Sequence, residues 1–246
     1  MKIVIRSIKK DSPSDKNYID YSLPNLLEWQ ALLKDTLYSH PFLLQENLHL
    51  PNININVDVL VGGKIFILQS NNINYEVASI KYEDYLVNNN CPICLLLHFA
   101  VYQGVFPEEL NKYFPPGETI DDHYEEKKRK EFASMQLNRQ KVKMIILHET
   151  AHLIDAIDPQ FHLLVEKLIE MRQDAPLYYY FMELWNCYIN SRLRRMTKLE
   201  FNMPTIIESK QSAKKVMIDV WDSNQQYSVD QLYDLAKIIK IEFNKK

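Results

Sequence analysis

The sequence predicts an α+β fold in a single domain. An antiparallel β meander with accompanying helices is expected in a first lobe over residues 1–133, and a helical lobe over residues 134–246. Three observations predict it. Residues 52–61, NININVDVLV, alternate apolar and polar side chains with the period of a strand. Gly62-Gly63 follows at the position of a two-residue hairpin turn. Beyond Asn90 the apolar spacing changes to that of helices.

Taken in order, KIVIRSI at the start reads as a strand, and Ser22 with Pro24 opens a helix through LPNLLEWQALLKDTL. In the alternating segment Ile53, Ile55, Val57, Val59 and Val61 share one face, and Asn52, Asn54, Asn56 and Asp58 the other. KIFILQ is the expected return strand, and INYEVASIKY, after Ser70-Asn71-Asn72, a third. Helices are expected near 91–103, 134–157, 160–173, 177–195, 206–221 and 229–242, the last capped by Ser228. Pro115, Pro116 and Gly117 break the chain between the first two of these.

Composition narrows the function classes. A formal charge of -3 gives no basic field, and the one charged run, DDHYEEKKRKE, balances its signs at i,i+4 spacing, so no nucleic-acid partner is expected. Three cysteines, Cys91, Cys94 and Cys187, are too few for a disulfide scaffold and point to a reducing compartment. No apolar run reaches the ~20 residues that span a bilayer, so no membrane association and a cytoplasmic location are expected.

The segment Met144 to Asp158, MIILHETAHLIDAID, carries the chemistry. It sets two histidines and a glutamate in an apolar helix, where an unpartnered polar group is costly. On a helix His148 and His152 are one turn apart and project from one face, so both imidazoles can hold a single Zn²⁺, with Glu149 beside them but not a ligand. The competing reading is a pair of core histidines satisfied by hydrogen bonds.

Through HETAH within IILHETAHLID the chain resembles the zincin superfamily of zinc metallopeptidases. That resemblance implies one zinc ion per chain at a helix between the lobes, a peptide or protein substrate, and amide hydrolysis with Glu149 as the base. The third ligand is open among three carboxylates. Glu183 is favoured because it stands alone in the apolar helix PLYYYFMELWNCYINSRL, and a later-helix glutamate is similar to the gluzincin arrangement; its alternative is an ion pair with Arg192 or Arg194. Glu170 has a near-gluzincin spacing but falls on the expected solvent face. Asp158 has the metzincin spacing without the glycine that turns the chain back. Asp155, Asn186 and Asn190 are candidates for orienting the ligands from behind, Asp155 being equally readable as a helix-end acid on a loop amide. Tyr178, Tyr179, Tyr180, Tyr188, Arg192 and Arg194 are candidate oxyanion donors. Cys91, Cys94 and His98 in CPICLLLH have a spacing open to metal or redox chemistry, although Asn90 and Pro92 fit an ordinary helix start with two packed cysteines. A catalytically silent zincin fold that binds metal or peptide is the alternative function.

Overall fold

A computed structural model describes residues 2–8, 25–46, 54–60, 66–69, 72–75, 78–81, 91–98, 134–157, 164–204 and 211–244, the pair 130–131, and positions 23, 88, 102, 104 and 127. The fold is α+β. Its described elements are β1 (Lys2–Ile8), α1 (Leu26–Tyr38), α2 (Pro41–Glu46), β2 (Asn54–Leu60), β3 (Phe66–Gln69), β4 (Asn72–Tyr75), β5 (Ala78–Lys81) and β6 (Ile93–His98). Five helices follow: α3 (Arg139–Ile157), α4 (Leu164–Met171), α5 (Ala175–Met196), α6 (Gln211–Asp222) and α7 (Val229–Asn244). Two compact units divide the chain, Met1–Thr150 and Ala151–Lys246, so the boundary lies inside α3 rather than at residue 133. No described helix is long and apolar enough to cross a membrane.

The sheet differs from the expected meander. Its order is β1-β2-β6-β5, with β1, β2 and β6 parallel and β5 antiparallel to β6. Only β3 and β4 form the anticipated antiparallel pair, in a separate two-stranded sheet. Alternation identified β2 as a strand but carries no information about its neighbours. A parallel neighbour requires a crossover, and α1 and α2 lie in the crossover from β1 to β2. Gly62 and Gly63 lie outside the described residues.

The expected helix at 91–103 is also corrected, because residues 93–98 are the strand β6. A six-residue apolar run is compatible with either element, and Pro92, read as a first-turn helix residue, instead precedes a strand. In β6 the alternation is plain: Ile93, Leu95 and Leu97 are buried, whereas Cys94 and Leu96 are half-buried. The register Ile55↔Ile93 and Val57↔Leu95 puts these side chains on one core face.

Helix α1 covers the first unit's core with Trp29, Leu32, Leu33 and Leu37. It begins two residues beyond Pro24, after Asn25 in the left-handed region at φ 56°, and Asn25 gives no side-chain cap. The Trp29 indole stacks on Tyr102 at 5.1 Å between centroids and donates from Nε1 to the Tyr102 carbonyl at 2.8 Å. Fully buried His40 accepts from the Phe42 amide at Nδ1, 3.3 Å, which leaves the Nε2 proton to donate to the Leu147 carbonyl of α3 at 3.0 Å. His40 therefore grips α3 one residue before His148.

The second unit is helical and well capped. Asp174 accepts from the Leu177 amide at the start of α5, and Ser228 and Gln231 form a reciprocal capping box at the start of α7, as Ser228 led us to expect. Replacing Trp29 by alanine removes both the stacked ring and its buried hydrogen bond. Urea unfolding should report a loss of about 3–5 kcal/mol.

Candidate metal and catalytic site

Helix α3 is continuous from Arg139 to Ile157, so His148, Glu149 and His152 occupy successive turns of one helix. An apolar run packs the preceding turns: Ile145 is nearly buried, and Ile146 and Leu147 are buried outright. Glu149 and His152 are buried, and His148 is half-buried. The two imidazoles share a face, as four-residue spacing on a helix requires.

Asp155, one turn beyond His152, has no solvent exposure. Both of its oxygens are engaged within the second unit. Oδ2 accepts from Trp185 Nε1 at 2.9 Å, and Oδ1 forms a 2.7 Å ion pair with Arg192. The Trp185 indole in turn meets the His152 ring at 4.2 Å between centroids and an interplanar angle of 83°. Asp155 is thus not a surface acid. Arg192 also lies over the Tyr188 ring at 5.0 Å, and the Tyr188 hydroxyl accepts from the Tyr227 amide.

Glu183 lies on a different side of α5. Trp185, Tyr188 and Arg192 are spaced i, i+3 and i+7, one face that meets Asp155. Glu183 is two residues from Trp185, roughly 200° around the helix. It belongs instead to the stripe Glu183, Cys187, Ser191 and Arg194. There Cys187 Sγ contacts the Met217 carbonyl, Ser191 donates to the Trp221 carbonyl, and Arg194 pairs with Asp222 at 3.8 Å, all in α6. On this phasing Glu183 lies with the stripe that faces α6. Among the described residues no group of three or more His, Cys, Asp or Glu side chains is arranged to hold a metal ion. The imidazole pair fits zinc chemically.

The isolated carboxylate is accommodated by protonation. Burial alone pushes the Glu183 pKa up from the ordinary 4.5 to about 7, and the same burial pushes the Cys187 thiol up to about 12. The sequence argument assumed that Glu183 stays ionised and so needs a cation. A raised pKa lowers the cost of leaving the carboxyl without a cation.

The other sequence candidates are distributed as follows. Glu170 is exposed, hydrogen-bonded by Tyr233 at 2.9 Å and Lys167 at 3.2 Å, and these contacts hold its carboxyl below the usual range. Asp158 lies outside the described residues. Asn186 is half-buried, and Asn190 donates to the Asn202 carbonyl at 3.0 Å. Tyr180 stacks on Phe243, and Tyr178 is exposed. Arg192 and Arg194 are both committed to carboxylates. Cys94 and His98 sit four residues apart in a strand, about 13 Å, too far to share a metal. Cys91 and Cys94 are free thiols. Trp185 and His40 escaped the sequence reading, since an aromatic residue in an aromatic-rich helix and a lone histidine between helices carry no spacing signal.

No family model matches the chain, and neither does a curated protein or a solved structure, so the site stands on its own geometry.

Two outcomes follow for Glu183. Its folded pKa lies above its unfolded value, so the native chain holds more protons between about pH 4.5 and 7, and stability falls as pH rises through that window. Glu183→Gln should remove a decline on the order of 3 kcal/mol from the urea-derived stability profile. The same variant should keep any bound zinc in chelator competition, and zinc loss would return Glu183 to the metal.

Proposed function

We propose that the chain is a zinc-dependent hydrolase that cleaves peptide bonds in a peptide or protein substrate. The observation that carries this reading is the pair of same-face imidazoles on one continuous helix, with a buried glutamate between them in sequence. When bound, zinc supplies Lewis acidity and lowers the pKa of water. His148 and His152 would hold it through ring nitrogens, each free to take up a metal only in its neutral form. Glu149 moves the proton: its carboxylate accepts it from the attacking water and delivers it to the leaving amine nitrogen. The packed turn at Ile146 and Leu147, fixed by His40, limits the freedom of the helix that carries all three groups.

The competing function is a silent fold that binds metal or peptide without hydrolysis. The two differ at Glu149. Purified without chelator, the chain should carry about one zinc ion, and His148→Ala or His152→Ala should release it. Glu149→Gln should retain the zinc and lose cleavage of a peptide library by at least about 10²-fold. Zinc retained in both histidine variants would move the metal elsewhere. A wild-type chain that holds zinc through these histidines yet cleaves no peptide would favour the silent fold.

A further inference from the structure

We infer that Trp185 is a positioning residue for His152, and that it acts as the last member of a relay running Arg192, Asp155, Trp185, His152. This rests on the reading of His152 as a metal ligand and goes beyond it by naming what fixes the ligand's ring. Each step is a contact in the second unit. Arg192 pairs with Asp155 at 2.7 Å, Asp155 accepts the indole N–H at 2.9 Å, and the indole stands near-perpendicular to the imidazole at 4.2 Å. All four groups are withdrawn from solvent: Asp155 is fully buried, Trp185 is 2% exposed, His152 7%, and the Arg192 side chain 13%.

The argument is one of degrees of freedom. An indole against an imidazole would leave the histidine free to turn about χ2 if the indole itself could swing away. The Trp185 N–H is held by a carboxylate that has no exposure and carries a full charge, so displacing the indole would strip that carboxylate of a donor where water cannot replace it. Arg192 holds the carboxylate in turn, and its own place is set by the Tyr188 ring. The spacing makes the relay possible. Trp185 and Arg192 are two turns apart on one face of α5, so the two oxygens of a single carboxylate can reach both. Asp155 thus reaches the ligand three residues before it through a neighbouring helix. Partners that orient a ligand without touching the metal are each typically worth 10–100-fold in metal affinity.

The test uses the full chain with zinc alone as the probe. Arg192→Gln keeps the Trp185 ring in place, so any change at His152 reads the relay rather than a lost ring. Trp185→Phe keeps an aromatic wall and removes the N–H. Each is compared with Ile239→Val, a buried α7 substitution that lowers stability away from the site. Zinc affinity is read by chelator competition, and the exchange broadening and tautomer of the His152 ring by NMR of the metal-free chain, assigned with His152→Gln. Both relay variants should lower zinc affinity roughly 10–100-fold and broaden or split the His152 resonance, with Ile239→Val unchanged in both. If Trp185→Phe does not fold, Arg192→Gln carries the test alone. A folded variant with wild-type affinity and a single sharp wild-type His152 tautomer overturns the positioning role and leaves the hydrolase reading standing. If wild-type zinc binding is insensitive to His152→Gln, the hydrolase reading falls, and the metal-free resonance alone decides whether Trp185 orders the ring.

Discussion

The buried Asp155 carboxylate governs the helical unit. A charge with no access to water must be met by donors, and here both donors come from one helix, two turns apart. Fixing Trp185 and Arg192 against one carboxylate sets the rotation of α5 about its own axis. Every other face of α5 is then determined. The Cys187, Ser191 and Arg194 stripe is turned toward α6, and Tyr180 reaches Phe243 of α7. A rotation of one residue would break the ion pair and misplace all three contacts together.

Two buried carboxylates in this unit have opposite solutions. Asp155 stays charged because a guanidinium and an indole N–H meet it. Glu183 has no such partners, and burial makes protonation the cheaper form. The contrast explains why counting acids in apolar helices misjudges which of them hold metals. What separates a ligand from a neutral passenger is the face it occupies, and a phase difference of two residues is enough to exchange the roles.

How much of this was legible in the sequence depends on the range of the signal. Element type followed from local periodicity at β2, α3, α4, α5, α6 and α7, and Ser228 marked its helix start correctly. The HExxH pattern is local too, since four-residue spacing on a helix fixes which side chains share a face. Pairing is not local. Nothing in NININVDVLV says that its neighbours run parallel, and ICLLLH is too short for its period to distinguish strand from helix. The same limit applied to Glu183. Its isolation was readable, but which neighbour α5 would turn it toward depended on Asp155, Trp185 and Arg192, three residues whose meeting is tertiary. Asp155 stood out in the sequence by its place on the stripe of His148 and His152, while the indole between it and His152 had no mark there.

The parallel pairing of β1 with β2 has a consequence for how the chain reaches its native state. Lys2 meets Asn54, and Ile8 meets Leu60, so β1 cannot pair with β2 until the whole crossover between them exists. Closing so long a loop costs entropy before any ladder bond returns it, and such non-local pairings form slowly. Until β2 is in place, the segment KIVIRSI has its strand edges open, and an unpaired apolar strand is a site for mispairing.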